Sequence, residues 1–311
     1  MQDRRKQTRG GFTLIELLVV VAIISMLIAI LSVGTRKVKV ISKGLQQKSV
    51  FHAMTVGLEL FSSDFDGYPN SQVRDALGKQ VAGAQHLTEA LLGRDNRGFE
   101  PRTGWYPMGD AMVNPNAPAD LYTAADASLA RRKGPYCEIK YGQVLMPIEV
   151  WAAMGSSDIY QGNTDPTKPF LRSPMVLDVF NRNDSLAGRI GMPVLYFKAD
   201  STKRFRVNAG RQTVLNPASA EYKDWVYNFD DNLPVLQLPW LRDPAQAGPD
   251  VHFKDPDDAS KNHAQVFYEK ITQQANPDQN FYKPYNASTF ILISAGWDGI
   301  FGTPDDIVNY D

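Results

Sequence analysis

From Phe12 to Val33 the chain is an almost unbroken apolar run in which Glu16 is the single charge. About 20 apolar residues is the length that crosses a bilayer as a helix. Beyond Val33 the pattern changes without stopping. Val38, Ile41 and Leu45 lie three and four apart, and Phe51, Met54, Leu58, Phe61 and Phe65 resume that spacing. Arg36, Lys37, Lys39, Lys43, Gln46, Gln47 and Lys48 fall largely on other faces. This is the period of an amphipathic helix. It predicts one long helix from Phe12 to about Ser63, roughly 75–80 Å at 1.5 Å per residue. Gly34, Gly44 and Gly57 each weaken that helix by about 1 kcal/mol relative to alanine. The turn-rich Asp66-Gly67-Tyr68-Pro69-Asn70 ends it near Asp64.

Downstream the signals are shorter. Leu87, Leu91 and Leu92 mark a short helix closed by Gly93. Tyr136 to Trp151, the stretch around Val176, and above all Pro193-Val194-Leu195-Tyr196-Phe197 read as strands. Asn228 to Pro256 reads as a turn-rich surface stretch, Ser260 to Thr272 as a short helix, and Thr289 to Ser294 as a buried strand. There is no internal repeat. Plentiful Gly and Pro predict a loop-rich body.

Composition narrows the function classes. With 33 Lys and Arg against 34 Asp and Glu, the chain is near neutral and shows no nucleic-acid surface. The triplet Arg131-Arg132-Lys133 reads as a solvated loop. Cys137 is the one cysteine, which excludes an intramolecular disulfide and a cysteine metal cluster. His52, His86, His252 and His263 are scattered without a zinc-enzyme spacing, and His52 falls on the long helix as a surface residue. No nucleophile elbow or P-loop is present. Asp255-Pro256-Asp257-Asp258 reads as a solvated acidic loop, and Trp105, Tyr106, Trp225 and Trp240 either line a carbohydrate-contacting surface or close a loop-rich core. The sequence points away from an enzyme.

The N-terminal segment admits three readings. Arg4, Arg5, Lys6 and Arg9 suit the basic start of a signal peptide, but the apolar run is long and no small-residue cleavage site follows it. A plain membrane anchor explains the length and the charge bias, yet leaves Gly11 and Glu16 unaccounted for. The third reading accounts for both: GFTLIELLVVVAII resembles the cleavage and methylation motif of type IV pilins and type II secretion pseudopilins. The resemblance implies that a prepilin peptidase cuts between Gly11 and Phe12 and that Phe12 becomes N-methylated. Glu16 becomes the fifth residue of the processed chain, where the family keeps a glutamate. A buried acid in an apolar run needs a partner or a function. The new Phe12 amino group, about one helical turn away in the same chain or a neighbour, would supply it and set the register of assembly. The alternative is an interfacial Glu16 that snorkels to water.

The C-terminal stretch Ala295 to Asp311 is a Gly-rich acidic loop after a strand and resembles the calcium-binding end of the major pseudopilins. Calcium takes six to eight hard oxygen ligands, and Asp298, Asp305 and Asp306 lie in one tight loop whose spacing is not that of an EF-hand. The resemblance implies the carbonyl of Ala295 and the carboxylates of Asp298, Asp305 and Asp306 as ligands. This loop is shorter than the family's, and its last two aspartates are adjacent. Adjacent side chains in an extended segment point oppositely, which leaves one of the two to bind. An Asp/Gly turn without an ion is the alternative.

The expectation as a whole is an α/β (α+β) pilin-like fold, with a long N-terminal helix packed on a small antiparallel sheet and a loop-rich insert. Its parts are a leader, 1–11; a transmembrane half-helix, 12–33; an amphipathic half, 34–65; and a periplasmic domain, 66–311. That domain contains an enlarged variable region, 98–284, and an acidic loop, 294–307. The resemblance implies a structural pseudopilin of a type II secretion-like filament, held single-pass in the inner membrane. Its implied partners are copies of itself, other pseudopilins, prepilin peptidase, the inner-membrane assembly platform and lipid. Alternatives are a type IV pilus subunit and a membrane-anchored extracytoplasmic enzyme or carbohydrate-binding protein. Pilins commonly carry a C-terminal disulfide loop, which a lone Cys137 cannot form.

Overall fold

A computed structural model describes residues 13–72, 81–103, 122, 126–139, 144–147, 173–180, 182–184, 188–203, 225–236, 238, 251–276 and 281–310. Within these, the side chains of 30, 32–34, 36, 182–184, 188–190, 274–276 and 281–282 lie outside the description. The chain divides into two compact units, Met1–Leu45 and Gln46–Asp311. Helix α1 covers Leu14–Phe65, as the spacing predicts.

Among the described residues no helix is long and apolar enough to cross a membrane. This overturns the expected transmembrane first half of the helix, and with it the single-pass inner-membrane position. The physical reason lies in what a span requires, about 20 consecutive apolar residues. The run that starts at Leu14 holds a charged, capped Glu16 in its first turn. Lys37, Lys39 and Lys43 follow it on the same helix.

In the second unit, the α1 residues from Gln46 onward present Phe51, Met54, Leu58 and Phe61 to the core, each at most 2% exposed. His52 lies exposed, as expected of a surface residue. Gly57, which the sequence presents as a weak point, has a packing reason. A Cβ there would stand 2.9 Å from Leu91 Cδ2 and 3.0 Å from the Tyr136 carbonyl oxygen. Asp66 adopts a positive φ of 55° and α1 ends there. The Tyr68 hydroxyl then donates to Glu59 Oε1 at 2.8 Å, and that of Tyr196 to the Pro69 carbonyl at 2.7 Å.

Helix α2 (Gly83–Leu92) is fully buried and stops at Gly93, whose φ is 75°. Asn232 fixes its start, accepting from the Ala84 N–H at 2.9 Å and donating to the Tyr196 carbonyl at 2.7 Å. Helix α3 (Asp126–Leu129) is a single turn. Strands β1 (Val144–Leu145) and β2 (Met175–Val176) pair antiparallel, as do β3 (Arg182–Asp184) and β4 (Gly188–Ile190). Of the strand expected over Tyr136 to Trp151, the described residues form only β1. Tyr136 and Cys137 are irregular backbone there, since a Gly134–Pro135 peptide precedes them and Tyr136 N–H bonds the end of α2 at Leu91 O.

The central sheet has the order β5-β8-β9, all antiparallel: β5 (Leu195–Lys198), β8 (Phe290–Ser294) and β9 (Ile307–Val308). Strands β6 (Thr272–Asn276) and β7 (Phe281–Pro284) form a separate pair. Successive strand residues face opposite sides, and in β8 both sides are buried, which explains its continuous apolar run. Phe290, Leu292 and Tyr196 join one core cluster with Phe51, Met54 and Leu58 of α1 and Leu87 and Leu91 of α2. Ile291, Ile293, Leu195 and Phe197 face the other cluster. There they meet Val235 and Leu236 of α4 (Leu233–Leu236) and Phe267 and Tyr268 of α5 (His263–Lys270). The expected helix over Ser260 to Thr272 is thus α5, started by an Asn262–Gln265 capping box.

Three sequence readings change. Asn228 to Pro256 is not all surface: His252 and Phe253 are buried, with Phe253 wedged among Phe229, Phe267 and Phe301. Trp225 is buried as well, packed on Tyr268 at 3.7 Å between ring centres, whereas Trp105, Tyr106 and Trp240 lie outside the described residues. Of Arg131-Arg132-Lys133, Lys133 is exposed and Arg131 half-buried, but Arg132 is not solvated. Arg132 is buried, with Nη1 on both oxygens of Asp95 at 2.5 and 2.6 Å and its guanidinium 4.9 Å from the Tyr122 ring centre. Arg131 pairs with buried Glu100 at 3.4 Å, and Tyr122 donates to buried Glu89 at 3.1 Å. These partners are distant in the chain, so the triplet is ordered by tertiary contacts that local composition does not reveal.

Candidate functional sites at the two ends of the chain

Of the expected processing residues, Gly11 and Phe12 lie outside the described residues. Glu16 is described and exposed. Its Oε2 accepts from the Thr13 N–H and the Thr13 hydroxyl, each at 2.8 Å, and the Glu16 N–H reaches back to Thr13 Oγ1 at 3.4 Å. This is a reciprocal capping box, with Thr13 at the cap and Glu16 in the first turn. Those two bonds from Thr13 hold the Glu16 carboxyl below its ordinary pKa. The signal for it, Thr-x-x-Glu ahead of an apolar run, is present in the sequence. The apolar side chains that follow are exposed, Leu14 at 82% and Leu31 at 67%.

At the other end, β8 runs into the loop from Ala295 to Asp306 and returns as β9, with Ser294 opposite Ile307. Asp305 closes this loop from inside. Its Oδ2 accepts from the N–H groups of Trp297 and Asp298 at 2.7 and 3.0 Å, and its Oδ1 from the Thr303 hydroxyl at 2.5 Å. Asp298 Oδ1 accepts from the Ile300 N–H, and Asp306 Oδ2 from the Gly302 N–H, both at 2.7 Å. The Ala295 carbonyl, buried, accepts from the Gly299 N–H at 3.2 Å. The loop therefore brings all four expected ligand residues into one turn, but spends Asp305 on hydrogen bonds.

Asp306 differs from its neighbours. Its Oδ1 is buried with no hydrogen-bond partner. Burial, then the Asp305 and Asp298 charges, outweigh the Gly302 bond and push its pKa up to about 8. Burial raises Asp298 also, whereas hydrogen bonds from Thr303 and the backbone keep Asp305 low. The linkage sign follows. Between the ordinary 3.8 and about 8 the native state holds a proton on Asp306 that the unfolded chain has released. Its contribution to stability is therefore full below about pH 4 and lost as pH rises through about 8. Asp306→Asn is expected to flatten that fall and to raise the melting midpoint at pH 8. Thermal melts of both proteins from pH 5 to pH 8 check this, and parallel curves would refute it.

The remaining titratable candidates carry structural roles. His86 is buried beside the Asn70 carbonyl at 2.6 Å, and burial lowers its pKa to about 4. Half-buried Cys137 is a free thiol that burial pushes up to about 12. Asp255 is an exposed-loop carboxylate paired with Lys261 at 2.8 Å. Among the described residues no group of three or more His, Cys, Asp or Glu side chains is arranged to hold a metal ion.

No curated protein and no solved structure matches the chain. Residues 6–32 match the family model for a prokaryotic N-terminal methylation motif. The chain thus carries a short prepilin-type motif at its N-terminus, consistent with the broad type IV pilin and pseudopilin superfamily.

Proposed function

We propose that this chain is a structural subunit of a pseudopilin filament that supports type II-like protein export. A prepilin peptidase cuts it between Gly11 and Phe12, Phe12 is methylated, and the subunit assembles with copies of itself and other pseudopilins through its N-terminal helix. The observation that carries this reading is the methylation motif over residues 6–32, which opens a helix whose apolar side chains stand exposed. Exposed apolar surface on this scale marks an interaction site, and neighbouring helices supply a matching cover. Both Thr13 bonds fall on Glu16 Oε2, so Oε1 supplies the contact to a neighbour's Phe12 amino group. The single Cys137, which cannot close a disulfide loop, favours secretion over a pilus.

Intact-mass measurement of the purified subunit should show loss of residues 1–11 and one added methyl group. Glu16→Ala should reduce assembled filament roughly tenfold or more, since the register contact is lost while the fold of the second unit is untouched. A retained leader, or normal filaments from Glu16→Ala, would overturn the proposal.

Calcium at the C-terminal loop is a second, separable reading. Its favouring observation is the orphaned, buried Asp306 Oδ1, which lies with the Asp298 carboxylate in a turn of hard oxygen donors. A bound cation would supply the partner that oxygen lacks and neutralise the repulsion among the three aspartates. The Asp305 bonds oppose a ligand role for that residue. Repeating the melts at pH 8 with calcium chloride should raise the midpoint by several degrees, an effect lost in Asp298→Ala. An unchanged midpoint removes calcium from the account without touching the filament reading.

A further inference from the structure

Two stretches of α1 carry exposed apolar side chains flanked by charge. In 38–48, Val38 and Leu45 stand one heptad apart and are 65% and 66% exposed. In 56–64, Val56 and Leu60 stand one turn apart and are 46% and 51% exposed, while Leu58 and Phe61 beside them are buried. At 3.6 residues per turn, Lys39 and Lys48 fall on opposite flanks of the first pair. Asp64 and Glu59 fall in the same way on opposite flanks of the second. All four charged side chains are exposed. The signs are segregated, since 38–48 holds no acid and 56–64 holds no base. Among the described residues, none of the four joins an ion pair. Each acid spends one oxygen on a tyrosine hydroxyl, which leaves its charge in place. Tyr68 donates to Glu59 Oε1 at 2.8 Å, and Tyr136 to Asp64 Oδ2 at 2.7 Å.

Charge complementarity names the occupant of these faces. Parallel helices laid side by side in register set basic against basic and acidic against acidic, which repels. Displaced so that Val38 of one copy lies level with Val56 of the next, they bring opposite flanks together, as in a coiled coil. Lys39 then faces Glu59, and Lys48 faces Asp64. Exposed ion pairs are worth at most about 1 kcal/mol each. The apolar side chains therefore supply the attraction, and the charges select the register. An antiparallel pair satisfies the same charges, but its two-fold contact closes on itself. The displaced parallel contact leaves one face of each kind free and so extends into an open array. We propose that 38–48 of one copy docks in parallel along 56–64 of a second copy, with Lys39–Glu59 and Lys48–Asp64 as the pairs that fix the register. The proposal rests on the filament reading and adds a further neighbour to it. The copy whose Phe12 amino group meets Glu16 is displaced by about one helical turn, this one by about five.

The test is disulfide cross-linking between assembled full-length copies in a Cys137→Ser background. Copies with Val38→Cys are co-assembled with copies bearing Val56→Cys or Ser63→Cys, and cross-linked dimer is measured after oxidation. The parallel register predicts a dominant link from 38 to 56, whereas the antiparallel one predicts a link from 38 to 63. Glu59→Gln with Asp64→Asn removes the charges but keeps acceptors for Tyr68 and Tyr136, and should lower the 38–56 yield about tenfold. Glu59→Lys and Asp64→Lys combined with Lys39→Glu and Lys48→Glu should restore it, which a merely misfolded variant would not do. A dominant 38–63 link, or a 38–56 yield indifferent to these charges, overturns the proposal. Filaments that form without the 38–56 link overturn it and leave the filament reading standing. Failure of the unsubstituted chain to form filaments overturns both.

Discussion

Gly296→Ala is expected to destabilise the second unit by about 2–4 kcal/mol, which combines left-handed backbone strain with a backbone clash. Gly296 has φ of +59°, and a Cβ there would lie 2.1 Å from the Asp305 carbonyl oxygen. Neither atom is the far end of a flexible side chain, so relief requires the loop itself to open. Opening it pulls Asp305 away from the Trp297 and Asp298 N–H groups that it caps. Gly67→Ala is the control for the clash alone, because Gly67 also has a positive φ, +158°, but a Cβ there meets nothing within 4 Å. Denaturant unfolding of the two variants should separate them clearly. Equal midpoints would show that the loop does not contribute to the stability of the sheet.

The second large effect is expected at Asp178, whose carboxylate is buried at the opposite side of the loop entrance. Its Oδ1 accepts from the Phe180 and Met192 N–H groups at 3.1 and 3.0 Å, and its Oδ2 from the Ser294 hydroxyl at 3.0 Å. Ser294 Oγ also accepts the Gly296 N–H at 3.4 Å. Asp178→Ala leaves two buried N–H donors without an acceptor, at about 1–3 kcal/mol each, so a loss of about 3–5 kcal/mol is expected. Asp178→Asn keeps one oxygen for the two N–H groups and turns its amide toward Ser294, which can accept. Its expected cost is about 1–2 kcal/mol. If the two substitutions cost the same, the bonds to Oδ1 are not what holds this residue in the core.

How far the sequence could be read depended on whether a feature was local. The face Phe51, Met54, Leu58 and Phe61 was legible because a helix repeats its contacts every three or four residues. So was β8, where burial on both sides leaves an apolar run with no alternation. The leucine helix ending at Gly93 was legible for the same reason. Asp178 was not, for its donors come from residues 180, 192 and 294 and nothing local distinguishes it from a loop aspartate. The burial of Arg132 is not legible either, because its carboxylate partner, Asp95, lies 37 residues away in the chain. The acidic loop was half legible. Its place between two strands is legible, but the inward turn of Asp305 onto backbone N–H groups depends on a fold of the loop that composition does not specify. At the N-terminus, length and hydropathy alone suggested a membrane span that the described helix does not support.

The central sheet places β5 beside β8, although all of the chain from Ala199 to Thr289 lies between them. The entropy of closing such a connection grows only with the logarithm of its length, about 0.6 kcal/mol for each doubling. Once the two strands pair, additions or deletions in the intervening surface segments are therefore nearly free in thermodynamic terms. The sheet and the core packed on it act as a fixed frame whose register does not depend on the length of the exposed turns in that connection.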